Sequence, residues 1–107
     1  MTDFTHRAWD GSASRWSSAA AFAEACRINL NTGDKAGWTK DNCKLPYREP
    51  DGAVNVNGIH AAAAALAGGR GGVQANPAAK RTAARKLVAL YRELKETVPD
   101  AIRRMAL

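Results

Sequence analysis

The stretch NPAAKRTAARKLVALYRELKE, residues 76–96, carries the strongest structural signal in the chain. Asn76 is a good N-cap, and Pro77 suits the first helical position, where its fixed φ helps and its missing N–H costs nothing. An uninterrupted helical pattern follows to about Glu96, ahead of Pro99. At 100° per residue, Ala83, Ala84, Leu87, Leu90, Tyr91 and Leu94 collect on one face. Arg81, Arg85, Arg92 and Lys95 collect on another, broken only by Val88. One side is set to pack and the other is cationic.

Working outward, a second helix is predicted from Asn55 or Asn57 to Ala67, with Ile59, Ala62, Ala63 and Leu66 as a narrow apolar stripe. The glycine-rich run at residues 68–72 stops it and reads as a flexible hinge. A first helix is predicted from about Ser17 to Leu30, capped by Ser17 or Ser18, because Ala19, Phe22, Cys26 and Leu30 recur at three- and four-residue steps. Asn31-Thr32-Gly33-Asp34 ends it. Residues 43–47 read as an extended piece open to short β pairing, with a turn at Pro50-Asp51-Gly52. Residues 1–15 show neither strand nor helix period and read as an irregular arm, with Trp9 and Trp16 available to anchor it to the body. The final segment, Asp100 to Leu107, adds one helical turn or frays. The expected fold is therefore mainly α: a small single domain of about three helices over residues 16–107, behind an arm at 1–15.

Composition bounds the alternatives. With 107 residues, 46% hydrophobic and 24% charged, the chain is one globular domain's worth, neither disordered nor fibrous. Much of the apolar count is alanine, so the core leans on Trp9, Trp16, Phe22, Trp38, Leu45, Tyr47, Ile59, Leu66, Leu87, Leu90, Tyr91 and Leu94. No run approaches the roughly 18–20 apolar residues of a membrane span, and Met1 to Asp10 has none of the apolar stretch of a signal peptide. Two cysteines, Cys26 and Cys43, argue against a disulfide framework; reduced thiols are the default and a single bridge the alternative.

The net charge of +6 is unevenly placed. Residues 1–69 hold seven Lys and Arg against seven Asp and Glu, whereas residues 70–107 hold nine (Arg70, Lys80, Arg81, Arg85, Lys86, Arg92, Lys95, Arg103, Arg104) against Glu93, Glu96 and Asp100. A basic helical stripe suits a phosphate backbone, because aligned cations displace its condensed counterions; it also suits plain solvation or an acidic protein. The nucleic-acid candidates are Arg70, Arg81, Arg85, Arg92 and Lys95, and the aromatic anchors for a protein partner are Trp9 and Trp16.

Catalytic patterns are weak. The glycine run follows a helix and lacks the Gly-Lys-Ser/Thr ending of a phosphate-binding loop. Cys26, Cys43 and His60 are seventeen residues apart at each step, which matches no compact zinc spacing, even with His6 added. Nothing fixes His60 beside Asp41, Glu49, Asp51 or a cysteine, and no serine sits in a nucleophile elbow. The expectation is no catalytic site, no metal and no cofactor.

The segments WDGSASRW (9–16), CKLPYREPDG (43–52), Asn55, GIHAAAAALAGGRGGV (58–73) and ARKL (84–87) through Tyr91 resemble a domain of unknown function in tailed-phage and prophage proteins. That domain is met beside head-maturation proteases and other head-morphogenesis proteins. The resemblance spans about residues 9 to 100, with residues 44–73 its most specific part and the register between Asn29 and Asp41 departing from it. It implies a phage setting, in the bacterial cytoplasm or the virion, with a head or other virion protein as partner, and it implies no catalytic residues.

Overall fold

The computed structural model describes residues 3–68 and 72–107. The described residues form four helices and two small two-stranded sheets, in the order β1 (Phe4–Thr5), α1 (Ala19–Glu24), β2 (Cys26–Asn29), β3 (Cys43–Pro46), β4 (Val54–Asn55), α2 (Val56–Leu66), α3 (Pro77–Leu94) and α4 (Asp100–Met105). The chain divides into two compact units, residues 1–62 and 63–107. The fold is helix-rich, as expected, with more β pairing than the sequence suggested.

In the first unit, the predicted helix of residues 17–30 is only six residues long. Ser18 caps α1 by accepting from the Ala21 N–H at 3.1 Å, as expected, but the helix stops at Glu24. Cys26–Asn29 is instead a strand, antiparallel to β3 with Cys26 opposite Pro46 and Ile28 opposite Lys44. The cause is a pairing the local spacing does not contain: β3 satisfies the backbone groups of this segment, and its alternation of buried Cys26 and Ile28 suits a half-buried strand. The extended segment at 43–47 and the turn at Pro50 form as predicted. The Gly52 N–H reaches the Glu49 carbonyl at 2.9 Å, and Gly52 takes a φ of +97°.

The amino-terminal residues are more ordered than an irregular arm. β1 lies parallel to β4, with Phe4 opposite Val54 and Thr5 opposite Asn55. Asn57 adds side-chain hydrogen bonds to the carbonyls of His6 (3.3 Å) and Arg7 (3.0 Å). The core beneath contains Trp16, Phe22, Ala25, Cys26 and Cys43, with half-buried Trp9 against it and the Trp16 and Phe22 rings 4.8 Å apart.

In the second unit, Asn76 caps α3 by accepting from the Ala79 N–H at 2.8 Å, with Pro77 as the first helical residue. Ala83, Ala84, Leu87, Leu90 and Tyr91 are buried, as the periodicity predicts, and Leu94 is half-buried. The helix ends two residues short of the predicted Glu96, at Leu94, because Lys95 adopts a left-handed φ of +59° and returns its N–H to the Arg92 carbonyl. The last segment forms α4, which packs on α3 with Ile102 fully buried.

Gly58 marks the tightest approach in the first unit. A β-carbon there would lie 3.0 Å from the Tyr47 carbonyl oxygen and 3.1 Å from both Tyr47 Cα and Trp9 Cδ2. The Tyr47 backbone cannot retreat, being pinned to Ala25 and Asn55 by two 2.9 Å hydrogen bonds. Gly58→Ala therefore loses stability by about 1–2 kcal/mol in urea denaturation, despite alanine's better helix propensity.

Candidate functional site

The strongest polar feature of the first unit is a buried charge knot. Glu49 is 4% exposed, and its carboxylate accepts from Arg15 Nη2 at 2.6 Å and from Asn55 Nδ2 at 3.1 Å. A carboxylate out of water needs such partners. Arg15 also donates to the Asp10 carbonyl, and its guanidinium carbon lies 5.9 Å from the Trp9 ring centroid and 5.5 Å from that of Trp16. Cation–π attraction adds to the ion pair there.

Asn55, fully buried, has three roles. Its amide nitrogen donates to Glu49 and to the Arg7 carbonyl (3.1 Å), and its amide oxygen accepts from the Gly58 N–H (3.1 Å), capping α2. One side chain thus joins the amino-terminal segment, the turn after β3 and the start of α2. The two tryptophans expected as partner anchors belong to this construction. Trp16 is 4% exposed and packed against Phe22 with the rings tilted by 50°, so it has almost no area to offer a partner; Trp9 is half-buried over Gly58 and Gly11.

Beside the knot, Arg27 Nη2 and Arg48 Nη2 both donate to the Tyr47 hydroxyl oxygen, and both guanidinium groups stack on the Tyr47 ring. Burial pushes the Arg27 pKa down, Tyr47 opposes that, and the charge of Arg48 pushes it further down. Sequence reasoning missed Arg15, Arg27, Arg48, Glu49 and Asn55 as a group.

The two thiols lie in one core cluster on neighbouring strands, both unbridged. Burial, then the neighbouring Cys43, pushes Cys26 up to about 12, and burial raises Cys43 against the donor of Asn31. Burial therefore disfavours the thiolate, the nucleophilic form, at both positions. Among the described residues no three His, Cys, Asp or Glu side chains converge as a metal site would require. His60 lies exposed on α2.

On α3 the predicted cationic face forms. Arg81, Arg85 and Arg92 are exposed, and no ion pair joins any of them to a carboxylate among the described residues. The Arg85 Nε donates to the Ala106 carbonyl at 2.8 Å, which steadies its guanidinium beside α4. Lys95 is exposed just past the helix end, and Arg70 lies outside the described residues.

The chain matches no protein-family model, no curated protein and no solved structure. Function therefore rests on the geometry of the charged groups. No helix of the described residues is long and apolar enough to cross a membrane.

Asn55→Ala removes the α2 cap, one partner of Glu49 and the donor to Arg7. It lowers stability by about 2–4 kcal/mol in urea denaturation, while Asn57→Ala, at an exposed position, costs under about 1 kcal/mol.

Proposed function

We propose that the chain is a non-catalytic binding module that holds the phosphate backbone of a nucleic acid on the cationic face of α3. The observation that carries this reading is the row of exposed Arg81, Arg85 and Arg92 on one side of a well-capped helix, with Lys95 at its end. A rigid helix presents those cations without the entropy cost of ordering a loop, and counterion release supplies the affinity. The face carries no aromatic residue, so it favours duplex phosphates over stacked single-strand bases. Arg104 of α4 is exposed in the same unit and adds to its positive field, while Arg103 is paired with Asp100 at 2.8 Å.

A second reading is supported by the phage-domain resemblance: an accessory module of virion head structure or assembly, with an acidic head protein as partner. In that reading the α3 face steers encounter and half-buried Trp9 supplies an apolar contact. The two readings part on the ligand and on the role of Trp9.

In a band-shift assay on duplex DNA, the chain binds at low salt and weakens with a double-logarithmic slope of about −3.6, as four phosphate contacts require. Changing Arg81, Arg85, Arg92 and Lys95 together to Gln abolishes the shift with the helical circular dichroism intact. Absence of binding at low salt, or binding indifferent to the four substitutions, would eliminate the nucleic-acid reading.

A further inference from the structure

In the first unit, well away in sequence from the α3 face, two arginines converge on one tyrosine, and neither forms an ion pair with an acid among the described residues. Tyr47 is 1% exposed, and its hydroxyl oxygen accepts from both Arg27 and Arg48. The two guanidinium carbons lie 4.2 Å and 5.3 Å from its ring centroid. The acids closest in sequence are occupied elsewhere, Glu49 by Arg15 and Asn55, and Asp51 by Arg7 at 3.0 Å.

The cluster also has more donors than acceptors. Arg27 Nε is sealed from solvent with no hydrogen-bond partner among the described residues. The Tyr47 hydroxyl spends its oxygen accepting, and no acceptor for its proton is present among the described residues. Buried donors in native proteins are nearly always met by an acceptor. A buried water would serve as one, but would bring no charge to the two half-buried guanidinium groups.

We propose that Arg27, Tyr47 and Arg48 form a binding site for a phosphate group, either the free ion or a phosphomonoester. A phosphate near pH 7 carries about −1.5 to −2 on tetrahedrally arranged oxygens, which answers two cations and the unmet donors beside them; a single carboxylate brings less charge. The Arg27 Nε–H and the Tyr47 O–H donate to separate oxygens, and Arg48 closes the site with the remaining hydrogens of its fork while Nη1 stays on the Gly52 carbonyl (3.0 Å). Burial, which disfavours the bare Arg27 cation, strengthens its interaction with a bound anion. The site is independent of the α3 face.

The test is titration of the full chain with inorganic phosphate at constant ionic strength, with chloride as the balancing anion, read from the Arg27 and Arg48 Nε–H resonances, the Arg48 signal serving for the Arg27 variant. A saturable one-to-one shift is expected, with a dissociation constant on the order of millimolar. Arg27→Gln weakens binding at least about tenfold, as loss of a charge-assisted donor implies. Tyr47→Phe keeps the ring and the fold and weakens it several-fold. The Arg81, Arg85 and Arg92 to Gln triple variant binds phosphate as the parent does, so failure of the nucleic-acid reading leaves this one standing, and the reverse. A parallel arm with phosphoserine tells an ester from the free ion, since tighter binding of either identifies the source. No saturable shift at about 50 mM phosphate, ten or more times a millimolar constant, would overturn the proposal. So would binding unchanged in Arg27→Gln.

Discussion

The ion pair between Arg15 and Glu49 is the constraint on which the first unit depends. Glu49 follows β3 and is nearly removed from solvent, so its charge must be met from within the protein. Arg15 meets one oxygen and Asn55 the other, and each partner drags a different piece of chain with it. Arg15 brings the turn at Ala13–Arg15 and, through stacking, Trp9 and Trp16; Asn55 brings β4, the cap of α2 and the Arg7 carbonyl. Replacing such a pair by apolar groups can be neutral, but removing one partner strands a buried charge, so the pair acts chiefly to specify which segments meet.

The two units use charge in opposite ways. In residues 1–62 the formal charges balance, and three of the seven acids are spent on internal contacts: Glu49 on Arg15, Asp51 on Arg7, and Asp10 on the Ser12 N–H. In residues 63–107 the basic residues outnumber the acids, and the arginines of α3 project into water. The charges that specify the fold thus lie within the first unit, and the excess positive charge lies in the second. In the Arg27–Tyr47–Arg48 cluster of the first unit, positive charge is gathered with no ion pair to an acid among the described residues.

What the sequence made legible was the local part. The cap, proline and face assignment of α3, the cap of α1, the start of α2 and the turn at Pro50 depend on residues within a few positions of one another, so their patterns survive in one dimension. The strand at Cys26–Asn29 did not. Cys26 and Leu30 fit a helical step, while Cys26 and Ile28 fit a strand alternation, and only the distant partner β3 selects between them. Leu45 is a similar case: its φ of +61° is costly for a side chain with a β-carbon and comes from the tertiary setting, not from its own propensity. The charge knot joins Arg15 to Glu49 across 34 positions, and no spacing rule reaches that far. Trp9 and Trp16 were visible as large aromatics, but whether they faced a partner or a guanidinium was a question of packing. The candidate face on α3 was legible because helical periodicity alone sorts its arginines from its leucines; the tyrosine cluster was not, because its three members meet through β2 and the segment after β3.

The most direct test is a double-mutant cycle on Arg15→Gln and Glu49→Gln, read by urea denaturation. If the pair fastens the first unit, the two single losses exceed the loss in the double variant, with a coupling of at least about 1.5 kcal/mol. Additivity within about 0.5 kcal/mol would mean that the two side chains stabilise the protein independently, and the account of the first unit would be wrong.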